Sequence, residues 1–347
     1  MGIIKKTYNN AVMITMVSLY KEYIESSHIY TLIEKSNSYS IRKLFYKETS
    51  PNEIQSKYEL ISIWIKALPK ILINYKSLLN TTYVIGLHFP FFIIAKAFNK
   101  INEKVIIDNF YLHKAGENKS IKKMLQFLLA GKEYTFIVQS VSEVEYYKKI
   151  APTLNLVYLP FCMGKIEIQD SIQLPNSLPK SYLFTGGYSN RDYDLILRAA
   201  KSIKNYHFII VMSRLNVLKE EVPDNVIILK DLDFQQFHLL LAKASGVIIP
   251  LKNNVGSSGQ MLSLAAMQLG KPVIYSNNDS INHYFAYGNG ISYEQNSLSS
   301  FESALERFFS LNKEELTELE EVQKKTFYNN FDLEHRGYKI MEIIQQV

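Results

Sequence analysis

Apolar and polar positions fall in alternating blocks along this chain. Short continuous apolar runs, rich in β-branched and aromatic residues, read as strands covered on both faces. In the first half these are "IYTLIE" (Ile29–Glu34), "TYVIGL" (Thr82–Leu87), "KVIIDNF" (Lys104–Phe110), "YTFIVQS" (Tyr134–Ser140) and "NLVYLP" (Asn155–Pro160). Between them lie helical patterns such as "ISIWIKALPKILINYKSLL" and "FFIIAKAFNKI", and the opening run "AVMITMVSLYKEY" reads as a buried helix. Alternation of this kind predicts a parallel α/β sheet.

The rhythm breaks at "GKIEIQDSIQLPNSLPKS", where prolines and polar residues read as a linker between domains. It restarts with "YLFTGG", "YHFIIVM", "NVIILK", "GVIIPL" and "KPVIY", and from Ser299 onward the pattern is helical throughout. The expected organisation is therefore a first Rossmann-like domain over 1–165, a linker over 166–180 and a second such domain over 181–347. Two such units would place a ligand near the carboxyl ends of their strands.

A length of 347 residues suits two domains. The net charge of +6 fits anionic small molecules or an anionic membrane surface, and no Lys/Arg block suggests a nucleic-acid partner. With Cys162 as the one cysteine, no internal disulfide can form, which points to a reducing cytoplasm. The apolar opening run lacks a small-residue cleavage site and is about half a membrane span. It is expected to be neither a targeting segment nor an anchor.

Two stretches carry candidate chemistry. In "YLFTGGYSNRDYDLILRAA" a strand runs into Gly186-Gly187, and Ser189 or Asn190 is expected to cap the next helix. Arg191 then falls in that helix's first turn, where a cation opposes the helix dipole unless an anion lies between. The plainer alternative is a tight turn with a solvated Arg. In "GVIIPLKNNVGSSGQMLSLAAMQLGKPVIY" a strand leads into a Gly/Ser loop and a helix from about Ser258 to Leu269, ended by Gly270. Small residues and the unpaired N–H groups of Ser257 to Gln260 would admit a second anion. A capped core helix is the alternative.

These stretches, together with "NVIILKDLDFQQFHLLLAKASGVIIPL", resemble the donor-binding half of the retaining GT-B glycosyltransferases. The group most resembled builds bacterial capsule, exopolysaccharide and lipopolysaccharide sugars. The resemblance covers Ser181 to Glu294 well and Thr82 to Gly164 more weakly. It implies a GT-B fold, two Rossmann-like domains with parallel sheets facing a central cleft. It also implies a nucleotide-sugar donor, a glycan or lipid-linked acceptor, and no separate cofactor or metal.

Carried over by position, Gly186 and Gly187 match the glycine loop facing the donor diphosphate, and Arg191 the basic residue that neutralises it. Arg214 lies near a second basic position. Asp231, Leu232 and Phe234 match the loop framing the base, and Ser257, Ser258, Gly259 and Gln260 the turn beside sugar and phosphate. His88 and His113 fall at strand ends where the family often has an acceptor-side histidine; a structural His is the alternative for each.

The chain departs from the family in two places. The family commonly has two Glu, eight positions apart, across the last loop and helix; here those positions are Ser257 and Ala265. The family's opening strand and glycine-rich acceptor loop are also unmatched, because only "MGIIKKTYNN" precedes the helix-like run. A catalytically degenerate subunit that binds nucleotide or a partner transferase therefore stays open, as does another sugar-nucleotide enzyme on the same scaffold. Finally, Lys66, Lys70 and Lys76 sit among large apolar residues of "ISIWIKALPKILINYKSLL". That segment could lie on the cytoplasmic face of an anionic membrane, or be a core helix with snorkelling lysines.

Overall fold

The computed structural model describes residues 12–35, 39–48, 57–86, 88–110, 118–174, 177–213, 216–230, 232–253 and 258–346. The chain forms two compact units, one of Met1–Pro160 with Glu334–Val347 and one of Phe161–Leu333. The first unit opens with β1 (Val12–Tyr20), α1 (Lys21–Glu25), α2 (His28–Lys35) and β2 (Tyr39–Lys47). It continues through α3 (Lys57–Ile73), α4 (Tyr75–Leu78), β3 (Thr81–Ile85), α5 (His88–Ala97) and β4 (Ile106–Asp108). Then follow α6 (Lys119–Leu129), β5 (Thr135–Val138), α7 (Val141–Ile150) and β6 (Asn155–Tyr158). Its six strands are all parallel, in the order β2-β1-β3-β4-β5-β6.

Two local expectations are corrected here. The run at 12–20 is not a helix but β1, paired on both sides, with Ile14 through Tyr20 all buried. A strand covered on both faces loses the period of two, which is what made its run look helical. Conversely, Ile29–Glu34 lies in α2, not in a strand. Its buried Ile29 and Ile33 are four apart, one above the other on a helix face.

The second unit runs β7 (Leu183–Gly187), α8 (Tyr193–Ser202), β8 (Phe208–Met212), β9 (Val226–Lys230), α9 (Phe234–Lys243) and β10 (Gly246–Ile249). After these come α10 (Gln260–Gln268), β11 (Val273–Ser276), β12 (Ile291–Tyr293), α11 (Leu298–Ser310) and α12 (Lys313–Asn330). Its sheet is again all parallel, ordered β12-β11-β10-β7-β8-β9. Apolar side chains of α9, α10 and α12 cover one face, and those of α8 and α11 the other. Asp233 caps α9 by accepting from Gln236 N at 2.8 Å. Gly270 ends α10 in the left-handed region, φ +68°, with Lys271 N reaching back to Ala266 O.

The domain limits also differ from expectation. Residues after Phe161 are not a free linker: Cys162 is in the second unit's core, with Ile166, Leu174 and Leu178 against it. Gln268 accepts from Ile166 N and donates to Gly164 O at 2.9 Å, fixing that stretch to α10. The last helix, α13 (Leu333–Gln346), joins the first unit, where Ile340 is buried against Met16, Tyr83 and Ile106. No described helix is long and apolar enough to cross a membrane.

Candidate functional site

In the second sheet β7 lies between β8 and β10. The chain builds outward from β7 through β8 and β9, then returns to the other side with β10, β11 and β12. The carboxyl ends of β7 and β10 are therefore the point where the winding reverses, and two connections leave a crevice there. Both candidate stretches end at this point.

Gly186 closes β7 where α9 presses in. A Cβ on it would lie 2.5 Å from Phe237 Cε2. Gly187 has φ +137°, and a Cβ there would meet the Arg191 guanidinium at 2.6 Å from Nη2. Neither position has room for a side chain. Asn190, also left-handed at φ +56°, ties the loop to the connection after β10. Its side chain donates to Asn253 O at 2.7 Å and accepts from Asn253 N at 3.0 Å. Asn278 Nδ2 donates to the same Asn253 O at 2.9 Å. Asp192 N donates to Pro250 O at 2.7 Å, so Arg191 and Leu251 face each other in a short antiparallel bridge.

The loop's carbonyls are all engaged. Gly186 O accepts from Arg191 Nε (3.1 Å), Gly187 O from the Tyr193 hydroxyl (2.8 Å) and Tyr188 O from Asn216 Nδ2 (2.9 Å). Ser189 O accepts from Arg191 Nη1 (2.8 Å) and Asn190 O from Lys252 N (3.2 Å). A loop whose acceptors are spent offers a ligand donors and positive charge.

Arg191 does not stand in the first turn of α8. Asp192 is the N-cap, its carboxylate accepting from Leu195 N, so neither Ser189 nor Asn190 caps the helix. An N-cap needs an acceptor that reaches the third helical N–H, and Asp192 is the residue so placed. Arg191 instead folds back under the glycine loop and is only 9% exposed. Burial lowers its pKa, and the neighbouring Tyr193 is the other group acting on it. Among the described residues no carboxylate pairs with this guanidinium. A buried cation held only by carbonyl dipoles is costly and attracts an anion.

On the far side of the crevice, Gly259 (φ +86°) is the N-cap of α10, and a Cβ there would lie 3.0 Å from Ile281 Cγ2, 3.2 Å from Ile249 Cγ2 and 3.3 Å from Leu251 Cδ1. Ser258 is half-buried and Gln260 buried beside it. Ala265, at the family's second acid position, is buried in the core of α10, so that helix presents no acid there. Leu232 is half-buried and Phe234 is exposed at the start of α9. Arg214, Asp231 and Ser257 lie outside the described residues, as does His113.

His88 belongs to the first unit, at the start of α5, buried beside Phe110. Its Nε2 is 3.3 Å from the backbone oxygen of Asp108, and burial pushes its pKa down to about 4. It is a neutral hydrogen-bonding ring at pH 7. A charged cluster that sequence reasoning missed lies around it. Asp108 ends β4 and takes Arg336 Nη2 of α13 at 2.6 Å, the Tyr83 hydroxyl and Asn109 N. Arg336 Nη1 also donates to Leu159 O and Pro160 O. Burial and the Asp108 charge push the Tyr83 phenol well up. An acid closing an apolar run, as in "VIID", is the one sequence signal that could have found this cluster.

The structure resembles sucrose-phosphate synthase from Thermosynechococcus elongatus with a TM-score of 0.68 at 11% identity, over 96% of this chain and 98% of that one. It matches Anabaena Alr3699/HepE, solved with UDP and glucose, at 0.63 and 10% identity over 97% and 100%. The fold is GT-B. The lipopolysaccharide glycosyltransferase WaaG aligns at 0.60 and 14% identity over 96% and 100%. No protein-family model matches the sequence, and no curated protein does. In this GT-B chain the switch point of the second sheet brings together Gly186, Gly187, Arg191 and the Ser258–Gln260 turn, while His88 belongs to the other unit.

Proposed function

We propose that this chain is a glycosyltransferase that moves a sugar from a nucleotide-diphosphate-sugar to a growing, lipid-linked surface glycan in the cytoplasm. One observation carries the reading: a buried guanidinium, with no carboxylate partner among the described residues, is clamped under a glycine loop whose five carbonyls are already engaged. Such a site is built for an anion, and the switch point of a doubly wound sheet is where a nucleotide diphosphate fits. That neighbours of the same fold include a protein solved with UDP and glucose supports the choice of donor. Fold alone does not decide function, so the site has to carry the argument.

The chemistry follows from the charges. As the bond from the anomeric carbon to the diphosphate oxygen breaks, negative charge grows on the departing diphosphate. Arg191, already held by two loop carbonyls, would stabilise that charge with little reorganisation, helped by the backbone of the Gly186-Gly187 loop and the helix start near Ser258. The transfer is of hexosyl type, retains the anomeric configuration and uses no metal. Gln260, Ser257 and Ser258 take over sugar recognition that the family assigns to an acid. The buried Ala265 favours a second reading, a degenerate subunit that binds nucleotide for a partner transferase.

The test is to incubate the purified chain with a panel of nucleotide sugars and a bacterial lipid extract, with a chelator present. One donor should yield nucleoside diphosphate and a labelled lipid in step, with the anomeric configuration kept. Tight nucleotide binding without turnover, relieved only by adding a second protein, would replace this reading with the degenerate subunit.

A further inference from the structure

The glycine loop of the second unit carries a side chain that neither folding nor anion binding explains. Tyr188 follows Gly187 directly and is 75% exposed. Among the described residues its ring meets no other ring and no cation, and its hydroxyl has no hydrogen-bond partner. Tyr193, five positions on, shows the contrast. It is buried, and its hydroxyl donates to Gly187 O at 2.8 Å. A lone exposed aromatic residue on a loosely held segment would need no explanation.

What sets Tyr188 apart is the backbone beneath it. Its carbonyl accepts from Asn216 Nδ2 at 2.9 Å, and Asn216 Oδ1 accepts from Ser213 N at 3.1 Å, so the residue is tied to the chain leaving β8. On either side of it, Gly187 O and Ser189 O are held by Tyr193 and Arg191. Gly187 and Asn190, both at positive φ, fix the path of the loop. These bonds immobilise a residue whose side chain is left in water. A ring carried on a fixed backbone loses little freedom on meeting a ligand, and a tyrosine has only two side-chain torsions to order. The ring also stands one residue from Gly187, against which the Arg191 guanidinium is packed.

We propose that Tyr188 is a further donor-binding residue, whose ring packs flat against an uncharged ring of the molecule whose diphosphate Arg191 holds. The inference rests on the nucleotide-diphosphate reading of this site and adds a selectivity that the guanidinium lacks. Arg191 responds to charge and would take any diphosphate. An aromatic face beside it rewards only a molecule that carries a ring next to its phosphates. A nucleotide sugar has two such rings. The base stacks through its π face, and the transferred sugar packs through its apolar C–H face. A protein partner fits less well, because one ring offers far less area than a stable interface buries.

The experiment is calorimetric titration of the full chain and of its Tyr188→Ala, Tyr188→Leu and Tyr188→Phe variants. The probes are inorganic pyrophosphate, the common nucleoside diphosphates, and a set of hexose conjugates of the nucleotide bound most tightly. Pyrophosphate has the charge but no ring, and should bind the wild type and every variant alike. Loss of the aromatic face in Tyr188→Ala should weaken a ring-bearing ligand about 5–150-fold. Leu keeps the bulk without the flat face and should fall between, while Phe should match the wild type. A loss already complete with the nucleoside diphosphate assigns the base to Tyr188, and a loss confined to a hexose conjugate assigns the sugar. The side chain is exposed, so the melting temperature should not change. Ala and Leu variants that bind every probe as the wild type does overturn the proposal and leave the anion site standing. An equal loss for pyrophosphate also overturns it, because Tyr188 would then only support the loop. A wild type that binds none of the probes overturns it together with the nucleotide-diphosphate reading.

Discussion

Replacing Arg191 by Gln separates its two roles, bracing the glycine loop and carrying charge. The wild-type guanidinium makes two hydrogen bonds, to Gly186 O at 3.1 Å and Ser189 O at 2.8 Å. Bonds from a charged donor contribute about 1.5–3 kcal/mol each, so their loss alone would cost roughly 3–6 kcal/mol. Against this stands the desolvation of a buried cation with no carboxylate partner among the described residues, itself several kcal/mol. The two terms are of similar size and opposite sign. Gln also keeps an amide that can reach one carbonyl, so stability should change by no more than about 2 kcal/mol. Binding has no such offset. Losing one charge-assisted contact to a diphosphate should weaken affinity roughly 10–150-fold. Lys at this position keeps the charge but has no planar fork to span both carbonyls, and should fall between. Urea unfolding followed by circular dichroism gives the first quantity, and calorimetric titration with a nucleoside diphosphate the second. A folded Gln variant that binds nucleotide as tightly as the wild type would refute the anion-site argument and leave Arg191 a brace alone.

Other consequences can be checked on the same protein. Gly187→Ala places a Cβ 2.6 Å from the guanidinium at φ +137°, so it should lose about 1–3 kcal/mol and nucleotide affinity together. Gly288→Ala, at φ +73° with nothing within 4 Å, should cost only the backbone part, about 1–2 kcal/mol, with binding intact; equal losses at both sites would count against a crowded loop. Arg336→Met leaves the Asp108 carboxylate buried and unpaired and should cost about 3–5 kcal/mol in urea unfolding, whereas Arg336→Met with Asp108→Leu should recover part of the loss. His88 is held at a pKa of about 4, below its unfolded value of 6.5, so the unfolded chain binds the extra proton between those values. Stability from this group is therefore full above about pH 6.5 and is lost as pH falls toward 4, about 2 kcal/mol of it between pH 7 and 5. His88→Gln should flatten that part of the pH–stability curve, and an unchanged slope would show that the ring is solvated.

Much of the second unit was legible in the sequence because its strands are short, apolar and punctuated. Gly186-Gly187 and Gly270 each mark a boundary by a local backbone requirement, and the structure honours both. The first unit is harder to read. β1 is buried on both sides and so carries neither helical nor strand period, while β2 is mostly half-buried and shows no sustained alternation of apolar and polar positions along its length. β12, with three residues, is too short to leave a pattern. The membership of α13 could not be read locally, because what assigns it is a contact between Arg336 and Asp108, 228 positions apart. At the site, sequence placed the glycines, and Arg191 next to them, but not the direction of the guanidinium. That direction depends on Asp192 taking the cap and on five loop carbonyls needing donors. Both are properties of the folded loop, not of any single residue.

The proposed function requires that the switch point of the second sheet hold a nucleotide diphosphate. A thermal-shift screen of the intact chain against nucleoside diphosphates and nucleotide sugars, without added metal, tests it most directly. A ligand present at about 100 times its dissociation constant adds about 2.7 kcal/mol to folding stability, a shift of several degrees for a domain of this size. One nucleoside diphosphate and its sugar conjugate should stand out, and the shift should shrink in Arg191→Gln. A flat response across the panel, or an equal shift in Arg191→Gln, would contradict it.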